Sequence, residues 1–135
     1  MKDSLARGLS VTRQIHVDRE RAIDSMGEKV RVYATPMLVL DIDRISRELL
    51  LGHLDAGEDS VATRIEVEHL AATLMGMDVE ITVTVSEVKG RAISLEVEGR
   101  DSIEPICRGR HNRFVVGVET TLARLAAKAQ KAGLA

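Results

Sequence analysis

Thr35, Asp43 and His69 are the residues of this chain whose types and spacing could do chemistry together. A threonine offers a hydroxyl, an aspartate a base, and a histidine a group that takes and returns protons near neutral pH. Thr35 and Pro36 open a helix, because threonine is a good N-cap and proline suits the first helical position. A ligand atom beside Thr35 would also meet free backbone N–H groups at that helix end, which favour an oxyanion or a phosphate. Each of the three also has an ordinary use: a cap for Thr35, an ion pair with Arg47 for Asp43, a bonded core imidazole for His69. Residue types alone leave both readings open.

The elements that must position them are legible from periodicity. Leu38, Ile42, Ile45 and Leu49 fall at i, i+4, i+7 and i+11 and predict a helix from Pro36 to about Leu51, ended by Gly52. At about 100° per residue, Asp41 shares a polar stripe with Met37, Arg44 and Glu48 that is expected to face solvent. Asp43 lines up with Val39, Ser46 and Leu50 at the flank of the core, where partial desolvation would suit a carboxylate to work as a base. From Val61 the period becomes two. Val61, Thr63, Ile65, Val67 and His69 share one face of a strand, so His69 is expected on the side that packs toward the helix.

Upstream, Val11 to Val17 alternates as a first strand. Residues 18–32 follow as a charged, aperiodic run, long for a connection and expected to be a lid or binding loop over a site. Downstream, Asp78 to Val88, Ala92 to Gly99 and Ile106 to Val118 read as strands joined at Lys89-Gly90 and Asp101-Ser102, and Glu119 to Ala132 reads as a helix. The order implies an α+β architecture, an antiparallel sheet curled around one central helix. A single domain over 1–135 is expected, with a core at 10–118 and a C-terminal helix at 119–135.

Composition narrows the function classes. With 44% apolar and 30% charged residues, the 135-residue chain is globular, and its net charge of −2 argues against broad capture of nucleic acid or an anionic membrane. Tyr33 and Phe114 are the only aromatics, so base stacking has almost no platform. Cys107 is the lone cysteine, which rules out an intramolecular disulfide and fits a cytoplasmic setting. No His/Asp/Glu spacing resembles a zinc site, and no apolar run is long enough to span a membrane. On the last strand, Arg108, Arg110, His111 and Arg113 are either ordinary strand polarity or contacts for an anionic ligand.

Four stretches carry a resemblance: Tyr33-Ala34-Thr35-Pro36, the helix through Asp43, Glu66-Val67-Glu68-His69-Leu70-Ala71-Ala72-Thr73, and Gly109-Arg110-His111-Asn112-Arg113. Through them the chain, from about Val11 to Leu125, resembles the hot-dog fold thioesterase superfamily and in particular its fluoroacetyl-CoA thioesterase-like branch. In that branch a threonine before the central helix, an acid eight positions on and a histidine twenty-six beyond the acid form the active site; Thr35, Asp43 and His69 reproduce both spacings. The resemblance implies a hot-dog fold and hydrolysis of a small or medium acyl-CoA thioester. Thr35, Asp43 and His69 would be catalytic, Pro36, Arg108, His111 and Arg113 substrate- or CoA-binding. No cofactor is implied beyond the coenzyme A of the substrate, and a homodimer is the minimum assembly. The chain departs from the pattern twice: its acid is aspartate where the branch commonly has glutamate, and residues 18–32 hold no counterpart of the lid phenylalanines. A non-catalytic acyl-CoA-binding module and an enoyl-thioester hydratase are the alternative readings.

Overall fold

The long helix expected from the Leu/Ile spacing is α1, Thr35–Leu51, and a five-stranded antiparallel sheet curls around it in the computed structural model, which describes residues 1–134. The strands are β1 (Ser10–His16), β4 (Glu58–His69), β5 (Asp78–Lys89), β6 (Ala92–Arg100) and β7 (Pro105–Gly117), in the order β1-β5-β6-β7-β4. Leu38, Ile42, Ile45 and Leu50 of α1 are buried against every second residue of the sheet: Val79, Ile81, Val83 and Val85 of β5, then Ile93, Leu95 and Val97 of β6. Those β-branched, alternating strands hold one face on the helix and leave the other to charged side chains, which is how a single helix and one sheet close a core. The last helix, α2 (Val118–Lys131), buries none of its residues. Among the described residues, no helix is long and apolar enough to cross a membrane.

Residues 18–32 fold into more than the expected loop. Two short strands, β2 (Ala22–Ile23) and β3 (Val32–Tyr33), pair antiparallel with Ala22 opposite Tyr33, and a single 3-10 turn at Glu28–Val30 lies between them. The result is a flap with a two-stranded stem, and its base explains a correction. Asp41, expected on the solvent stripe, is 2% exposed. Its carboxylate accepts two bonds from the Arg21 guanidinium at 2.9 and 3.1 Å and one from the Tyr33 hydroxyl at 2.5 Å. The flap covers the helix face that periodicity alone assigns to water, and a bidentate, charge-assisted clamp fixes it there.

Strand β4 departs from simple alternation. Its register with β7 shifts between Ala62 and Arg64, a bulge that turns Val61 away from the face it was expected to share with Ile65 and leaves it 42% exposed. Ile65, Val67 and His69, beyond the bulge, keep the predicted face. The curl is tightest where β7 passes β4: a Cβ on Gly109 would lie 2.0 Å from the Glu66 carbonyl oxygen, so only glycine fits.

Candidate active site

The end of β4 and the start of α1 bring His69 and Thr35 together. Thr35 Oγ1 and His69 Nδ1 are 2.7 Å apart, within reach for a nucleophile and its base. Thr35 does not cap the helix. Ala34 is the N-cap, with no side-chain cap bond, and Thr35 is the first helical residue, so its hydroxyl serves the imidazole instead of the backbone. The backbone donors of the first turn are also mostly used: Pro36 has none, and the N–H groups of Met37 and Leu38 both reach the Ala34 carbonyl at 3.0 Å. Among the described residues, that leaves the Thr35 N–H as the first-turn donor without a backbone acceptor.

Burial lowers the proton affinity of His69 below the ordinary imidazole value, so the ring is neutral at pH 7 and free to accept a proton. The Tyr33 ring meets it edge-on, with centroids 6.4 Å apart and planes at 82°, and Tyr33 is itself fixed through Asp41. His69 Nε2 is buried with no hydrogen-bond partner. The pair opens on a cleft of about 470 Å³ between the flap and the residues after β4, walled by Ile23, Met26, Val32, Pro36, Leu70 and Ala71. Clefts of similar size, about 480 and 490 Å³, lie on the outward sheet face around Glu66, Glu96 and Arg110, and no histidine lines either.

Asp43 does not join this pair within one chain. It lies eight residues along α1 from Thr35, about 12 Å of helix rise and roughly 80° around the axis. Its carboxylate instead accepts a bond from Arg113 Nη1 at 2.5 Å. Arg47, the helix neighbour expected to pair with it, reaches Asp59 at 3.0 and 2.6 Å. Arg113 is 2% exposed and also donates to Ser60 Oγ and the Ser60 carbonyl, each at 2.8 Å. His111 completes the cluster: its Nδ1 donates to the Arg64 carbonyl at 2.9 Å, and its Nε2 lies 3.2 Å from Arg113 Nη1. Those two contacts fit the neutral tautomer, and burial lowers the proton affinity of the ring in the same direction. The Asp43 side chain stays 37% exposed, so one side of the acid is open.

In the single chain none of the basic residues of β7 lines the cleft beside Thr35 and His69. His111 and Arg113 point inward by strand alternation and serve Asp43, whereas Arg108 points outward and lies 3.2 Å from Glu68. Pro36 alone of the four expected ligand contacts lines the cleft beside Thr35 and His69. Sequence reasoning did not single out Ser60, which looks like a turn residue, or Tyr33 and Arg21, whose roles depend on the flap folding back.

Known proteins share the fold over most of the chain. The chain is 29% identical over 135 residues to the fluoroacetyl-CoA thioesterase of Streptantibioticus cattleyicolor, covering 95% of this chain and 97% of that one. It superposes on a point mutant of the fluoroacetyl-CoA-specific thioesterase FlK with a TM-score of 0.84, at 28% identity, over 94% of this chain and 99% of that one. The same mutant solved in complex with fluoroacetate and CoA gives a TM-score of 0.79 at 27% identity, over 87% and 99% of the two chains. The family model described as fluoroacetyl-CoA-specific thioesterase matches residues 17–119, a span that holds the flap, α1 and all of β4 to β7, and the chain belongs to that family of hot-dog-fold thioester hydrolases.

Proposed function

We propose that this chain hydrolyses an acyl-CoA thioester with Thr35 and His69 as the reacting pair. The observation that carries the reading is the 2.7 Å contact between a hydroxyl released from helix capping and a neutral imidazole, at the floor of a cleft. The relatives named for a CoA thioester, one of them holding fluoroacetate and CoA, support the substrate class. Thr35 Oγ attacks the thioester carbonyl carbon while its proton passes to His69 Nδ1, and the oxyanion forms beside the Thr35 N–H and the positive end of α1. The C–S bond then breaks and the CoA thiolate takes the proton from His69; water, deprotonated by the same imidazole, attacks the acyl ester on Thr35, and the imidazolium returns that proton to the departing Thr35 oxygen as the acid is released. The setting is the cytoplasm, where acyl-CoA and a reduced Cys107 coexist.

Asp43 enters from a second subunit in this proposal. When the Thr35 hydroxyl donates to Nδ1, the proton of His69 sits on Nε2, which is buried and lacks an acceptor. A carboxylate there would orient the ring and stabilise its protonated form. Asp43 has an open side and cannot span the helix rise to its own His69. The twelve-residue β4 is the free edge of the sheet, and a two-fold axis at Ile65 would set Arg64 against Glu66 twice. The experiment is thiol release from a panel of acyl-CoAs. His69→Ala, Thr35→Ala and Asp43→Ala are each expected to lose roughly 100-fold or more in kcat. Mixing His69→Ala with Asp43→Ala under subunit exchange restores about a quarter of wild-type activity, since half the dimers are mixed and each has one whole site. Near-normal turnover in the Thr35 and His69 variants overturns the pair; saturable binding without thiol release indicates a binding module; no recovery on mixing overturns the shared site.

A further inference from the structure

We infer that the acyl group taken by this cleft is a saturated hydrocarbon chain of several carbons, and that Ile23 and Met26 on the flap set its length; this rests on the Thr35–His69 reading above. The cleft begins at Thr35 and His69 and runs between two apolar walls, with Val32 and Pro36 on the flap and helix side and Leu70 and Ala71 beyond β4. Among the described residues lining it, none carries a carboxylate, an ammonium or a guanidinium. An acyl group ending in a carboxylate would place that charge against aliphatic side chains with no partner.

The flap is rich in charge, yet none of its charged side chains lines the cleft, and two of its arginines are engaged within the flap. Arg31 bonds Glu28 at 2.8 Å and the Ala22 carbonyl at 3.1 Å, and Arg19 reaches Glu28 at 2.6 Å. At its tip the flap presents to the cleft Ile23, 42% exposed, Met26, 76% exposed, and the uncharged Ser25 between them. Met26 sits in a tight turn closed by the Gly27 N–H on the Asp24 carbonyl at 2.8 Å, with Gly27 at φ 101°, a conformation that glycine adopts freely. The stem below is held by the Arg21–Asp41–Tyr33 clamp. A fixed stem therefore carries two exposed aliphatic side chains at the rim, and methionine, unbranched and flexible, packs along a chain of variable length. A two-carbon acyl group reaches neither wall, so those side chains stay in water. Each further methylene that lies against them is removed from water, a gain of about fourfold in kcat/KM per carbon.

The test is kcat/KM for straight saturated acyl-CoAs of two to eight carbons and for succinyl-CoA, with dissociation constants of the matching S-alkyl-CoA thioethers measured in parallel. The expected result is a rise of about fourfold per methylene beyond acetyl, succinyl-CoA at least tenfold below butyryl-CoA, and a flattened slope in the Ile23→Ala/Met26→Ala variant. Met26→Lys should shift the succinyl-to-butyryl ratio toward succinyl. Acetyl- or fluoroacetyl-CoA turned over as well as hexanoyl-CoA, or a slope unchanged in the double variant, overturns the inference. Absence of thiol release from every ester would overturn the catalytic reading alone, and the thioether series then decides the acyl subsite by the same slope.

Discussion

Removing Asp43 should destabilise the fold more than removing the arginine that holds it, because the two partners are buried unequally. Arg113 is 2% exposed, and among the described residues Asp43 is the one carboxylate that pairs with it directly; Ser60 and His111 offer neutral acceptors, and the nearby Asp59 is taken by Arg47. Asp43→Ala therefore leaves a guanidinium buried and uncompensated, which costs about 3–5 kcal/mol. Arg113→Met keeps the apolar volume and strands a carboxylate that is 37% exposed and can rehydrate. Its cost is mainly the two bonds to Ser60, about 1 kcal/mol each. The double variant leaves no stranded charge and should resemble Arg113→Met alone, so the two single costs exceed the double by about 3–5 kcal/mol. Urea unfolding at one fixed protomer concentration reads this, because an oligomer's stability depends on concentration, and the m-values should agree across the set. Additive single costs, or an Asp43→Ala cost below about 1 kcal/mol, would refute the assignment of a buried clamp.

Two further outcomes follow from the same geometry. Within one chain burial depresses the proton affinity of His69, and a carboxylate brought to Nε2 opposes that by stabilising the protonated ring, so the acid limb of kcat/KM, set by the neutral imidazole, should lie at lower pH in Asp43→Asn than in the unaltered protein; a limb that stays in place, or one that survives in His69→Gln, contradicts this. Gly109→Ala drives a Cβ into the Glu66 carbonyl and should cost more than about 2 kcal/mol, whereas Gly99→Ala meets the Cys107 sulfur at 2.7 Å and should be rescued by Cys107→Ala; equal melting of the two glycine variants would show that the β4–β7 crossing is not the tight point.

The sequence showed whatever depended on one element at a time. The Leu38–Ile42–Ile45 spacing located α1, and alternation in β5 and β6 located the sheet that packs on it. It misplaced whatever depended on two elements meeting. Asp41 carries the polar period of a solvent face, and only the flap, folding back through Arg21 and Tyr33, buries it. Val61 has the strand's apolar phase, but one inserted residue near Thr63 reverses its direction, and nothing in the local composition marks a bulge. Thr35 has the residue type and the following proline of an N-cap, yet the helix starts one residue earlier and the hydroxyl turns to His69. Spacing along the chain brought Thr35, Asp43 and His69 to notice without saying which of them touch.

That separation is the chemical argument for assembly. Within one chain the Thr35–His69 pair has a donor position at Nε2 with no acceptor, and the Arg113 cluster holds an acid with one side open. The two deficits are complementary, yet a rigid helix sets Asp43 about 12 Å of rise along α1 from the Thr35 that His69 contacts. An aspartate in place of glutamate does not change this, because one methylene is small against that distance. It changes how firmly the acid is aimed: the shorter side chain is gripped at one oxygen by a buried guanidinium that Ser60 and His111 hold from the other side. A carboxylate so fixed can serve a neighbouring imidazole only if that imidazole is brought to it, and the free edge of β4 is the surface along which a second copy would bring it.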